Sequence, residues 1–172
     1  MGHLEHKSDS SAKKSLNIFI ITLSDTRNKE TDESGIYLKN YLTKNNHCII
    51  GYTILKDDKD LLQKELVNIC AENFHADLNA VIINGGTGIS QRDYTYESVS
   101  ELYDKEIYGF GELFRYLSFE EIGSASIMSR ASCGIYNKKI IFSIPGSINA
   151  VKLAMEKIII KEIGHIYYEI TK

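Results

Sequence analysis

The stretch VIINGGTGISQRD, Val81–Asp93, starts as a buried strand, breaks into three glycines and closes on an Arg-Asp pair. A short continuous apolar run of this kind fits a strand covered on both faces, as in a parallel sheet. Two similar runs precede it. LNIFIIT (Leu16–Thr22) and CIIGYTIL (Cys48–Leu55) read as the first and second strands, and Ala80–Ile83 as the third. Between them lie two helix patterns. One starts at Thr31 or Asp32 and carries Ile36, Leu38 and Tyr41. The other follows KDDKD, with Asp58 as N-cap and Leu61, Leu62, Leu66, Ile69 and Cys70 at helical spacing.

Downstream, Tyr94–Tyr103 reads as a helix, and the segment from Ile107 to Ala131 as two helical pieces punctuated by Gly109, Gly111 and Gly123. CGIY-NK-KIIFSI reads as a hairpin turning at Asn137 and Lys138, ended by Pro145 and Gly146. Two amphipathic helices follow, in SINAVKLAMEKII and KEIGHIYYEITK. The alternation predicts an α/β fold in three layers, with a mixed, mostly parallel sheet between helices and an antiparallel edge hairpin. Residues 1–15 read as a polar, disordered tail, which makes metal binding by His3 and His6 the weaker reading, and residues 16–172 as one domain.

The bulk numbers exclude several classes. The chain has 172 residues, 43% hydrophobic and 25% charged, and a net charge of −3. That balance does not suit general nucleic-acid binding, and no apolar run has the length of a membrane span. Three scattered cysteines, Cys48, Cys70 and Cys133, fit neither a disulfide framework nor a zinc site; they read as packing residues of a reduced, cytoplasmic protein.

Ligands of open parallel sheets bind beyond the carboxyl ends of the strands. Four such ends are polar here: Thr22–Thr26, including Ser24 and Asp25; Lys56-Asp57-Asp58; Asn84–Asp93; and Ser143–Ser147. Gly85, Gly86 and Gly88 allow a sharp turn and close backbone approach. Successive amides there suit a phosphate, although a plain tight turn accounts for the glycines equally well. No Gly-Lys-Ser/Thr follows, and the spacing is wrong for a dinucleotide fingerprint. Asp57 and Asp93, on separate strand-end loops, could share a Mg²⁺ ion; helix capping is the other reading for Asp93. Arg92, Arg115 and Arg130 could meet phosphates or pair on the surface. Glu112, inside GFGELFR, sits in a segment odd for a plain helix.

TLSDTR, INGGTGISQRD, GFGELFRYLSFEEIG, SRA and IFSIPGS together resemble the molybdenum cofactor biosynthesis protein B family, from Leu16 to Lys172 in order and spacing. Asn84 departs from the Thr common there. The resemblance implies the molybdopterin-binding fold, and transfer of AMP from ATP to the terminal phosphate of molybdopterin with release of pyrophosphate and Mg²⁺ as the metal. It assigns Asp57 and Asp93 to the essential aspartates and Gly85, Gly86, Thr87 and Gly88 to the phosphate loop. It places Ser24, Asp25, Ser129, Pro145, Gly146 and Ser147 in further site motifs. It also implies a homotrimer or homohexamer that works with other enzymes of the pathway. A phosphate nucleophile needs no strong base, so the lack of a placed histidine (His75 and His165 lie outside the motifs) is no objection. Two other readings stand beside it: a molybdopterin carrier without turnover, and a generic nucleotide-binding regulator.

Overall fold

The computed structural model describes residues 15–71 and 77–172; the N-terminal tail to Lys14 and His75 lie outside them. The strands are β1 (Asn17–Leu23), β2 (Cys48–Leu55), β3 (Ala80–Asn84), β4 (Lys105–Glu106), β5 (Ser132–Tyr136) and β6 (Lys139–Ile144). They form one sheet in the order β2-β1-β3-β6-β5-β4. β2, β1, β3 and β6 run parallel, and β5 pairs antiparallel with both β6 and β4. The four polar strand ends therefore emerge at one edge, as the parallel reading requires.

The strand alternation sorts side chains to two cores. Ile18 and Ile20 of β1 join Ile82, Phe142 and Ile144 on one face, covered by α1 (Glu33–Lys44), α4 (Tyr108–Ile122), α5 (Ile148–Ala154) and α6 (Ile160–Thr171). Phe19, Ile21 and Leu23 join Val81 and Ile83 on the other, covered by α2 (Lys59–Ile69) and α3 (Thr95–Ser100). Removing these side chains from water is the main drive that fixes the three layers. The bulge between Ile18 and Phe19 brings the Phe19 ring onto Gly51, where a Cβ would meet it at 2.2 Å. Asn137 and Lys138 take positive φ of 46° and 59°, the geometry of a tight hairpin turn. The Asn137 amide side chain also donates to the Cys70 carbonyl at 2.7 Å.

Several expectations are corrected. α3 ends at Ser100 rather than Tyr103, and the chain then adds β4 outside the hairpin. Gly109 and Gly111 lie within the first turns of α4; Gly123 alone of the three punctuates, passing the chain into a 3-10 turn. The two C-terminal helices are one continuous rod, joined by a π turn at Met155–Ile159. Cys70 and Cys133 are buried as packing residues, but Cys48 is exposed, because β2 is an edge strand and Cys48 is its first residue. Among the described residues no helix is long and apolar enough to cross a membrane.

Candidate active site at the carboxyl edge of the sheet

β3 ends on Asn84, whose amide donates to Thr22 Oγ1 at 2.8 Å and to the Ile21 carbonyl at 3.3 Å. The backbone of Gly85 makes one more ladder bond, to the Ile144 carbonyl at 3.0 Å, and then turns. Gly85 and Gly86 have φ of 114° and 62°, which favour glycine. Space demands glycine as well. A Cβ on Gly85 would lie 2.4 Å from the Leu23 carbonyl oxygen, and one on Gly86 2.4 Å from Thr95 Oγ1. Thr95, at the start of α3, locks the turn by donating from its hydroxyl to Gly85 O at 2.8 Å and from its amide to Gly86 O at 3.1 Å. The amides of Gly86, Thr87 and Gly88 donate to no acceptor among the described residues. Gly86→Ala is expected to cost about 1–2 kcal/mol in thermal unfolding, through a left-handed φ and a clash together.

Asp57 follows β2. Its Oδ1 is buried with no hydrogen-bond partner among the described residues, and it lies 3.1 Å from where a Gly86 Cβ would stand. Burial pushes the Asp57 carboxyl above its ordinary range; the nearby charges of Asp25 and Asp93 push it further, and Arg92 opposes them. Asp58 is the helix cap, accepting from the Leu61 amide at 2.9 Å. Asp93 does not cap α3, whose N-cap is Tyr94 with no side-chain bond. Instead its Oδ2 accepts from the Ser90 amide at 2.7 Å and closes the loop against Gly88. Asp25 pairs with the exposed Arg92 at 3.7 Å. Ser24 Oγ accepts from the amides of Thr26 and Arg27, holding the turn after β1.

A buried carboxylate oxygen without a donor, pressed by two other carboxylates, is suited to a hard cation. Among the described residues no three His, Cys, Asp or Glu side chains close on one point as a cage. Two carboxylates would supply only part of the oxygen ligands that such a cation takes.

The corner after β6 is held from a distance. Gly146 packs on Gly85, with a Cβ position 3.1 Å from Gly85 Cα. Its carbonyl accepts from Arg27 Nη2 at 3.0 Å and from Ser34 Oγ at 2.8 Å. Arg27 in turn pairs with Asp32, the wholly buried N-cap of α1. Asp32 also accepts from Thr22 Oγ1 and Tyr52 OH, each at 2.6 Å, and from the Gly35 amide at 3.0 Å. Burial pushes its carboxyl up, but the bonds from Thr22, Tyr52 and Gly35 and the Arg27 charge together hold it below the ordinary range. Ser147 caps α5 through the Ala150 amide at 3.3 Å.

Ser24, Asp25, Asp57, Asp93, the glycine loop and Pro145–Gly146 therefore belong to the one edge to which the strand ends lead. Glu112 and Ser129 do not border Asp57; they line an adjoining cleft of about 360 Å³ with Tyr96, Glu106, Tyr108 and Arg115. A shallower cleft, of about 730 Å³, runs along Ile89–Tyr94 and includes Asp93. Arg130 lines both.

The profile of a probable molybdopterin binding domain matches residues 19–165. Molybdenum cofactor biosynthesis protein B of Bacillus cereus is 47% identical over 173 aligned residues, covering 100% of this chain and 99% of that protein. The chain belongs to the molybdenum cofactor biosynthesis protein B family. Molybdenum cofactor biosynthesis protein B of Bacillus subtilis is 47% identical, with 98% of this chain and 96% of the relative covered. A crystal structure of molybdenum cofactor biosynthesis protein B superposes with a TM-score of 0.86 at 48% identity, covering 92% of this chain and 98% of the other. A tungsten cofactor synthesizing protein from Pyrococcus furiosus gives 0.81 at 36% identity, with coverages of 92% and 99%. Membership fits the mixed six-stranded α/β fold and the motifs read in the sequence. Thr22 and Arg27 stand at the two ends of the TLSDTR motif, but nothing local to that motif, to Tyr52 or to the cap Asp32 announces that they converge to hold the Gly146 corner.

Proposed function

We propose that the protein binds molybdopterin and transfers AMP from ATP to its terminal phosphate, as a step of molybdenum cofactor biosynthesis. A phosphate oxygen of the pterin attacks the α-phosphorus of ATP. The bond from that phosphorus to the bridging oxygen of pyrophosphate breaks, and pyrophosphate leaves. The observation that carries the reading is the buried Asp57 Oδ1 set against Gly86, beside loop amides; neither finds a hydrogen-bond partner among the described residues.

Each residue has a task in this scheme. The amides of Gly86, Thr87 and Gly88 hold phosphate oxygens and align them for in-line attack. Asp57 and Asp93 would hold Mg²⁺, which when bound neutralises charge among the phosphates. Asp93 is set for this by its bond from the Ser90 amide. No general base is needed, since the nucleophile is already anionic at neutral pH. The Arg27–Ser34 pair on Gly146 keeps the Pro-Gly corner against Gly85, so the floor of the site does not shift. The cleft of Tyr96, Tyr108, Glu112 and Ser129 adjoins the loop and supports a site longer than a single phosphate. A homo-oligomer belongs to the same reading; it is supported by Tyr116, Phe119, Ile122 and Ile127, which are all exposed.

The test is release of pyrophosphate under anaerobic conditions. It is expected only when molybdopterin, ATP and Mg²⁺ are all present. Tight retention of the pterin without release would instead make the protein a carrier. ATP binding without any pterin affinity would make it a nucleotide-binding regulator.

A further inference from the structure

We propose that Arg130 is a positioning residue that sets the Gly88–Asp93 loop, and through it Asp93, rather than an arginine that grips a phosphate. The proposal deepens the reading above. Its side chain is committed to the protein. Nε donates to Gly88 O at 2.8 Å, and Nη2 to Asp93 O at 2.5 Å. Nη1 donates to Glu97 Oε1, and the Arg130 amide donates to Thr87 O at 2.9 Å. One residue thus ties both ends of the loop, at Gly88 and Asp93, and the phosphate-loop residue Thr87 as well.

The planar fork makes this possible. Two carbonyls and a carboxylate are met at once by a rigid guanidinium, which an ammonium cannot do. Glu97 lies on α3 and holds the positive charge in place, and the Tyr96 ring stands 6.0 Å from the guanidinium carbon. The loop has one further tie of its own at Asp93, the short turn between Ser90 and Asp93. Without Arg130 the Asp93 carboxylate keeps its chemistry but loses its fixed place beside Gly88. Arg130 also stands between the two clefts, so it sets Asp93 from the wall of the neighbouring one.

The test compares Arg130→Lys and Arg130→Ala with wild type in the full-length chain, by three readouts. Backbone hydrogen exchange reports on residues 88–93, anaerobic equilibrium binding on molybdopterin, and pyrophosphate release on turnover. Both variants should show faster exchange confined to residues 88–93 and a turnover loss of about a hundredfold. Affinity for molybdopterin should stay near wild type. Arg130→Lys keeps the charge and most of the stem, so the comparison survives if Arg130→Ala does not fold. Retention of turnover by Arg130→Lys would overturn the proposal, because charge alone would then suffice. So would an unchanged exchange pattern in the loop, or a loss of binding that parallels the loss of turnover. If wild type releases no pyrophosphate, AMP transfer is wrong while the exchange readout still decides the role of Arg130.

Discussion

Asp57→Asn is expected to stop AMP transfer and leave the fold at least as stable as wild type. The two halves of this result have one cause. Burial and the charges of Asp25 and Asp93 raise the proton affinity of Asp57 in the folded state. A group whose folded pKa lies above its unfolded value of 3.8 favours folding at low pH, and that contribution is lost as pH rises through the folded value. Above its folded value the ionised Asp57 carboxylate therefore works against the fold. Asparagine has the same shape without the charge, so the melting temperature should not fall. The proposed reaction needs that charge, and its removal should reduce pyrophosphate release about 10²–10³-fold. Molybdopterin binding should persist, since the loop amides are untouched. A variant that turns over normally would remove Asp57 from the chemistry. A variant that melts well below wild type would mean that the carboxylate is structural.

The second large effect is expected at Asp32. Asp32→Ala should lower stability by about 3–5 kcal/mol, the usual cost of removing one partner of a buried charged cluster. The hydroxyls of Thr22 and Tyr52 and the amide of Gly35 would lose their acceptor, and Arg27 would lose its counter-charge. Chemical denaturation measures this directly. The pH dependence has the opposite sign to that of Asp57. The folded pKa of Asp32 lies below its unfolded value of 3.8. Its contribution is full above that value and is lost as pH falls through the folded one. Wild type should therefore lose this component of stability in acid, and Asp32→Asn should show a flatter acid limb. Substitution should also reduce activity, because Arg27 would no longer be held on the Gly146 carbonyl.

These two aspartates show what was legible in the sequence. The place of Asp57 at the carboxyl edge was legible because a parallel sheet puts its strand ends together, and that inference needs only apolar runs and polar breaks. The glycine loop was legible for the same reason, and its positive φ values follow from residue type. The hub around Asp32 was not. Arg27 and Gly146 are 119 residues apart, and no local pattern announces a bond between them. β4 has two residues, too few for a period to appear. The exposure of Cys48 depends on β2 being at the sheet edge, which composition does not reveal. Glu112 was noticed for its odd surroundings, but only tertiary structure puts it in the cleft beside the loop instead of against Asp57. For Arg130 the sequence left phosphate contact and ion pairing both open; the structure pairs it with Glu97 and adds bonds to two loop carbonyls that residue type could not announce.

The most direct test is a single-turnover reaction, run anaerobically with excess protein, molybdopterin, Mg²⁺ and ATP labelled at the α-phosphate. If the protein transfers AMP as proposed, the label moves to the pterin in step with pyrophosphate release, in wild type and not in Asp57→Asn. Label that remains in ATP while the pterin is bound tightly would contradict it and leave the glycine loop as a holder of phosphate alone.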